Sequence, residues 1–144
     1  MKKVTVFCLC LIFLASCKSK GNSEGDNEAD VNLIESKELK IISGKVVGEK
    51  RKPIAYAAVK LYLDEDDCMH AYTGDDGSFE FKLDELRIKE QSHFEVVYKG
   101  YAINFLSLRN FKNDGSIILS KKGKVVPAAE YHVFYESIKS CGRK

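Results

Sequence analysis

The sequence predicts an all-β domain of the sandwich or barrel class, and two observations support this prediction. From Leu39 onward, short runs alternate apolar and polar side chains, which is the period of a strand with one buried face. Polar turns separate these runs at intervals of about ten residues, a spacing typical of small sandwiches and barrels. The pattern therefore indicates several short strands joined by tight connections.

The alternation predicts seven strands along the chain. The fourth is the clearest, because Phe79, Phe81 and Leu83 alternate with polar residues and give one apolar face. In the sixth, the apolar phase changes between Phe105 and Leu106, which predicts either a bulge or a strand buried on both faces. The predicted strands cover residues 39–47, 57–63, 69–73, 78–83, 93–99, 101–108 and 117–119.

Turn-forming residues lie between the predicted strands. Pro53 follows the first strand, where its missing N–H breaks no ladder. Asp75, Asp76 and Gly77 precede the fourth strand and supply the small, positive-φ residues that a tight reversal needs. Gly100 separates the fifth strand from the sixth and lets the chain turn back. We expect these residues to form the fold and not to carry chemistry.

Residues 1–16 are predicted to be a lipoprotein signal peptide. Lys2 and Lys3 precede an apolar run about half as long as the roughly 20 residues of a permanent membrane-spanning helix. The run ends in Leu-Ala-Ser-Cys at positions 14–17, which resembles the lipobox of bacterial lipoproteins. We therefore expect Cys17 to be acylated, to begin the mature protein and to anchor it to a bilayer. The alternative is an ordinary secretory signal before an unmodified cysteine.

The rest of the mature chain is expected to contain a tether and one domain. Residues 17–37 hold the lipidated cysteine and a polar stretch with little to bury, which predicts a disordered linker. The predicted sandwich follows over residues 38–122. Without Lys2 and Lys3, 23 minus 2 leaves 21 basic residues against 21 acidic ones, so we expect no nucleic-acid partner.

The C-terminal extension, residues 123–144, leaves two questions open. Its apolar residues fit an added edge strand, which we favour, or a short helix packed on the sandwich, because so short a run does not distinguish the two periods. Cys68 and Cys141 either form a disulfide on the oxidising side of the membrane or are two separate thiols. The apolar residues of the extension are Val125, Val126, Tyr131, Val133, Phe134, Tyr135 and Ile138.

Five segments occur in an order that resembles the carboxypeptidase regulatory-like domain. They are ISGKVV (42–47), KPI (52–54), AAVKL (57–61), TGDDGSFEF (73–81) and VYKGY (97–101). The match covers about residues 42–120. The resemblance implies a seven-stranded, antiparallel Greek-key sandwich of the transthyretin (prealbumin-like) kind. Domains of this family are non-catalytic companions of metallocarboxypeptidases or outer-membrane transporters, or stand alone on lipoproteins of Bacteroidetes-type bacteria, and this chain looks like the last kind.

The sequence gives no reason to expect catalysis, a metal or a cofactor. No serine lies in a Gly-flanked elbow, and residues 140–144 lack the Tyr-Arg-Gly-Ser ending of the transthyretin-like hydroxyisourate hydrolase, so a small hydrolase is only a second alternative. The acidic run 64–67 lacks the order of a calcium loop. Cys68 and His70 are too few ligands for zinc.

The functional prediction is therefore a non-catalytic envelope lipoprotein whose sandwich docks on another envelope protein, with a free sheet edge as the candidate surface. The alternative is a carbohydrate-binding lipoprotein that uses Tyr56, Tyr62 and Tyr72, which we expect to lie near one another. Residues 18–20 lack the acidic run that resembles a surface-export signal. This favours the periplasmic face of the outer membrane.

Overall fold

A computed structural model describes residues 38–142, which form two β-sheets and one α-helix. The prediction of a mostly β chain is confirmed. The predicted signal peptide, the acylated Cys17 and the tether lie outside the described residues. The strands are β1 (Lys40–Gly48), β2 (Ala58–Tyr62), β3 (Cys68–Tyr72), β4 (Ser78–Leu83), β5 (His93–Val97), β6 (Asn104–Ser107) and β7 (Gly115–Leu119).

Sheet A contains three strands in the order β4-β1-β7, and sheet B contains four in the order β3-β2-β5-β6. All neighbouring strands are antiparallel except β1 and β7, which run parallel with Gly44 beside Gly115. The predicted fully antiparallel arrangement is therefore wrong for this pair. The chain visits sheet B between β1 and β7, and such a long crossover is the kind of connection that a parallel pair requires.

The apolar faces of the two sheets share one core. Phe79 and Phe81 of β4 meet Phe94 of β5, with ring centroids 5.7 and 6.2 Å apart. Each fully buried large apolar side chain contributes roughly 1.5–3 kcal/mol to the free energy of folding. Strand alternation thus places the apolar residues of both sheets in one interior. The core cluster includes Ile42, Val46, Val59, Leu61, Leu63, Leu83, Val96, Ile117 and Leu119.

Strand β6 lies at the edge of sheet B and buries only one face. Leu106 packs against the core, whereas the side chain of Phe105 is 64% exposed. Residues 104–107 pair with 93–96 without an extra residue. Both predictions for this strand are therefore wrong: there is no bulge within β6, and nothing in the described part of the chain covers its outer face. The apolar pattern changes phase here because Phe105 is an apolar residue on the exposed face of β6, whereas Leu106 is on the face that packs against the core.

The C-terminal extension contains helix α1 (Ala128–Ser137), followed by a short 3-10 turn, Ile138–Ser140. The edge strand that we favoured is wrong, and the helical alternative is found. Tyr131, Phe134, Tyr135 and Ile138 follow the helical spacing i, i+3, i+4 and i+7, so they share one face. Val133 lies off that stripe and is 69% exposed. Within residues 38–142, no helix combines the length and apolar character needed to span a bilayer.

Candidate functional site

The predicted turn residues between β3 and β4 form a tightly bonded reversal. The Asp76 Oδ1 atom accepts hydrogen bonds from the Ser78 N–H (3.0 Å) and the Ser78 hydroxyl (2.6 Å), and Oδ2 accepts one from Lys45 Nζ (2.9 Å). These donors hold the pKa of the Asp76 carboxyl well below its ordinary value. Gly77 has a φ of 76°, and a Cβ there would lie 2.6 Å from the Val46 carbonyl oxygen. This turn serves the fold.

Two further predicted turn residues also lie at structural positions. Pro53 forms an isolated antiparallel bridge with Val47, next to the end of β1. Gly100 follows β5 with a φ of 78°, and its N–H donates to the Val126 carbonyl at 2.8 Å. Gly100 thus joins the turn after β5 to the start of the C-terminal extension.

The structure joins Cys68 and Cys141 in a disulfide, with their Cα atoms 5.0 Å apart. The bond links the first residue of β3 to the residue after the Ile138–Ser140 turn. His70 Nδ1 lies 3.1 Å from the Cys141 carbonyl oxygen, which adds a second contact at the same place. The extension is therefore attached to the outer face of sheet B near β3.

The three tyrosines proposed for recognition do not lie together. Tyr72 is opposite Ala58 in the β2–β3 ladder, whereas Tyr62 is opposite Cys68. This four-residue separation corresponds to about 13 Å along the strand. The Tyr62 ring instead stacks on His93, with centroids 4.8 Å apart. The expectation that Tyr62 accompanies the other two is wrong, because the antiparallel register carries it to the opposite end of β2.

Tyr56 and Tyr72 instead belong to a larger group that α1 assembles on sheet B, here called the tyrosine cluster. Tyr72 stacks on Tyr135 at 3.9 Å and donates from its hydroxyl to the Tyr135 carbonyl at 2.6 Å. The Tyr131 hydroxyl donates to the Tyr56 carbonyl. The Tyr131 ring makes edge-to-face contacts with the rings of Tyr135 and Tyr98, with ring centroids 5.7 and 5.4 Å apart. The cluster comprises Tyr56, Tyr72, Tyr98, Tyr131 and Tyr135, together with Tyr101, whose ring centroid lies 6.1 Å from that of Tyr98.

Sequence reasoning missed four members of this cluster. Tyr131 and Tyr135 are four residues apart, a spacing that puts them on one side of a helix. This spacing is visible in the sequence, but it predicts that the two rings share a side only if the extension is helical. The contact between Tyr98 and Tyr131 depends on where the helix docks, which no local pattern gives. Tyr101 joins the group only through the Tyr98 ring.

The environment of the cluster raises the pKa of three of its hydroxyls. Burial, followed by neighbouring tyrosines, raises the pKa of Tyr131 to about 12. Burial also raises the pKa of Tyr72. The charge of Asp75 raises the pKa of Tyr56, whose ring is largely in solvent. The hydroxyls are therefore neutral hydrogen-bonding groups over the physiological range.

A shallow cleft of about 300 Å³ opens between Tyr56 and α1. Tyr98, Tyr131 and Tyr135 form its aromatic wall, and Lys99 and His132 lie at its rim. Within residues 38–142, neither Lys99 nor His132 has a hydrogen-bond or ion-pair partner. The cleft therefore combines aromatic faces with polar groups that remain available to a ligand.

The edge of β6 is a second candidate surface. Leu108 N–H donates to the Ser92 carbonyl at 2.9 Å. Leu108 and Ser92 are therefore a hydrogen-bonded pair in the same register that places Leu106 opposite Phe94. Because bonded and non-bonded pairs alternate in an antiparallel ladder, the N–H and C=O groups of Phe105 and Ser107 point away from β5. No described strand pairs with that side of β6.

Apolar and polar side chains surround this edge. Ile103 precedes β6 and is 42% exposed, and Ile118 of β7 is also exposed. Asn104 Nδ2 donates to the Ile118 carbonyl at 3.1 Å, so β6 and β7 are in contact. Asn104 Oδ1 is buried without a partner among the described residues. The edge thus offers main-chain hydrogen bonds beside an exposed apolar surface that includes Phe105.

The acidic run 64–67 is a turn in which polar groups bond to one another. Leu63 N–H donates to the Asp67 carbonyl at 2.9 Å, and Asp66 N–H donates to Asp64 Oδ1 at 3.0 Å. Arg87 makes a two-point contact with the Asp67 carboxylate at 2.6 and 2.9 Å, which raises the pKa of Arg87. In the described part of the chain, no three acidic, histidine or cysteine side chains are placed to hold a metal ion.

Comparisons with known proteins find distant similarity to solved structures. No protein-family model matches the chain, and no curated protein matches it. A solved structure of a DUF3823 family protein from Parabacteroides merdae is 14% identical over 62% of this chain, with a TM-score of 0.38. The TIE protein of Bacillus anthracis is 15% identical over 58% of this chain, with a TM-score of 0.32. The matches span 46% and 16% of those two proteins, and both are too distant to assign a fold or a function.

Proposed function

We propose that this chain is a lipid-anchored envelope lipoprotein whose domain is a non-catalytic protein-interaction module. The lipobox resemblance supports an anchor at Cys17, and the ordered segments between residues 42 and 120 support a Greek-key sandwich of the carboxypeptidase regulatory-like kind. The two sheets with a shared core are compatible with that assignment. The proposed location is the periplasmic face of the outer membrane.

The observation that carries this proposal is the unpaired edge of β6. A strand edge with free N–H and C=O groups can accept an extended segment of another protein as an additional strand. Phe105 and Ser107 supply these groups, and the main-chain hydrogen bonds would provide affinity. Native proteins usually protect an exposed edge with charge or proline, whereas β6, with sequence NFLS, has neither.

The proposed partner is an extended segment of an envelope protein with apolar side chains on the face beside Phe105. The side chains of Phe105 and Ile103 are exposed next to the edge, where a partner side chain would pack. Removing such apolar surface from water contributes roughly 25 cal/mol per Å². Main-chain pairing would thus set the position of the segment, and the apolar contact would select its side chains.

Site-specific photo-crosslinking in intact cells tests this function. A photoreactive amino acid at Phe105 of the full lipidated chain should yield a discrete adduct with one envelope protein. The same amino acid at Lys82, an exposed position on β4 of the other sheet, is the matched control and should not capture that protein. Adducts with lipid only, or only with a second copy of the chain, would contradict the proposed function.

A further inference from the structure

The cleft beside α1 contains a tyrosine in an unusual backbone conformation. Tyr56 has a φ of 59°, in the left-handed region that bulky residues rarely adopt, and it is 58% exposed. Glycine or asparagine would be the ordinary choice for such a turn position. Backbone strain of this kind persists only where the surrounding structure enforces it, and it is concentrated at functional sites.

A buried threonine fixes this conformation. Thr73 is fully buried, and its carbonyl accepts a hydrogen bond from the Tyr56 N–H at 2.9 Å. Its hydroxyl donates to the Ile54 carbonyl at 2.6 Å and accepts from the Ala57 N–H at 2.8 Å. On the other side, the Tyr131 hydroxyl donates to the Tyr56 carbonyl. The turn is therefore held from both sides while the Tyr56 ring projects into solvent.

The opposite wall of the cleft is also fixed in place. The stacked and hydrogen-bonded pair of Tyr72 and Tyr135 holds α1 against sheet B, and the Cys68–Cys141 disulfide holds the end of the extension. A preformed site loses less conformational entropy on binding than a flexible one. The cleft is thus suited to a ligand that gains its affinity from a few contacts.

The rim supplies hydrogen-bonding groups of both kinds. Lys99 and His132 are without hydrogen-bond partners in the described residues, and so is the Tyr98 hydroxyl. Asp75 does not line the cleft, but its charge raises the pKa of the Tyr56 hydroxyl, so this carboxylate is an acceptor near the rim. A sugar hydroxyl both donates and accepts, so it can bond to an ammonium group and to a carboxylate alike. The apolar C–H face of a sugar ring can lie flat on an exposed tyrosine ring.

From this juxtaposition we propose that the cleft between Tyr56 and α1 binds a neutral glycan. Tyr56 provides the stacking face, Tyr98 and Tyr131 form the wall, and Lys99 and His132 bond to ring hydroxyls. The volume of about 300 Å³ lies at the small end of ligand pockets. The site therefore holds a short portion of a longer chain. This surface differs from the β6 edge, so the two proposals can fail independently.

The test is calorimetric titration of the full chain, in a detergent that contains no sugar, with maltohexaose, cellohexaose and chitohexaose. At least one probe should show saturable binding in the micromolar to millimolar range. Tyr56→Ala should weaken it by about tenfold or more, which corresponds to losing about 1.4 kcal/mol of binding free energy. The chain contains no tryptophan, so tyrosine fluorescence provides an independent signal that is dominated by the cluster.

Tyr62→Ala is the matched control, because Tyr62 is the tyrosine outside the cluster and its loss should leave the affinity unchanged. If Tyr56→Ala does not fold, His132→Ala on the exposed side of α1 replaces it and should also weaken binding. No saturable binding of any probe at millimolar concentration would overturn the proposal. Equal losses in the cleft variant and in Tyr62→Ala would overturn it as well.

Discussion

At the scale of single residues, Gly44 of β1 lies where the structure leaves no room for a side chain. A Cβ at this position would lie 2.6 Å from Phe111 Cζ and 2.9 Å from the Gly115 carbonyl oxygen. We expect Gly44→Ala to lower the free energy of unfolding by about 1–3 kcal/mol, the usual cost of overpacking. Urea denaturation of the variant and the parent measures the change.

Gly74→Ala is the control for that substitution. A Cβ at Gly74 would meet its nearest neighbours at ordinary contact distances of 3.5 Å or more. We expect its effect to stay within about 0.5 kcal/mol. Equal destabilisation by the two alanines would contradict this account, in which Gly44 is needed because β7 and Phe111 approach β1 closely.

Tyr131 should make the fold sensitive to alkaline pH. Its pKa is raised from 10.0 to about 12 by burial, so the folded state holds the phenol proton more tightly than the unfolded state. The stability that depends on this proton is complete below pH 10.0 and is lost as pH rises through about 12. Tyr131→Phe should flatten this part of the stability profile, as measured by urea unfolding across that range. An unchanged profile would contradict this placement of Tyr131.

Sequence reasoning at the residue scale succeeded where the constraint is local. Gly77 was identified because a tight reversal needs positive φ, and it has a φ of 76°. The sequence indicates that Tyr56 is an amphipathic ring, but it does not predict the left-handed backbone of this residue. That conformation depends on hydrogen bonds to Thr73 and Tyr131, which lie far from it in sequence.

At the scale of elements, the disulfide adds to the contacts of Tyr131 and Tyr135 that attach helix α1 to sheet B. Cys68 and Cys141 are 73 residues apart, and closing a loop of that size contributes on the order of 4 kcal/mol in the chain-entropy model. The double variant Cys68→Ala/Cys141→Ala should therefore lose about 2–5 kcal/mol of unfolding free energy. Amide hydrogen exchange should accelerate most in Ala128–Ser137.

Reduction of the parent protein should reproduce the behaviour of that double variant, and mass analysis with and without reductant should show two thiols appear. Exchange that accelerates equally in β1 and β4 would contradict a local role for the disulfide. Reductant should have no effect on the double variant itself, which controls for unrelated chemistry.

The strands were more predictable than the elements around them. The predicted fourth strand, residues 78–83, coincides with β4 because its alternation is uninterrupted. The edge strand favoured in the extension is instead α1, because ten residues with mixed polarity fit either period until tertiary contacts decide. The parallel pairing of β1 and β7 follows from the route of the whole chain, which local alternation does not encode.

For the whole molecule, membrane attachment is predicted to depend on one thiol. Cys17→Ser removes the acyl acceptor, so the variant should appear in the soluble fraction while the parent partitions with membranes. Cell fractionation followed by immunoblotting measures the distribution. Cys141→Ser, which leaves the lipobox intact, is the control and should remain with the membrane. A membrane-bound Cys17→Ser variant would contradict the proposed anchor.

The most direct test of the interaction module is photo-crosslinking in intact cells from a photoreactive amino acid at Ile103. The yield is compared between the parent protein and a variant that also carries Phe105→Pro. Proline at 105 removes a donor that points away from β5, so it should block strand addition while leaving the β5–β6 ladder intact. The account predicts that the envelope-protein adduct disappears in the proline variant while thermal unfolding shows that the domain is still folded. An adduct of undiminished yield in the folded proline variant would contradict docking through β6.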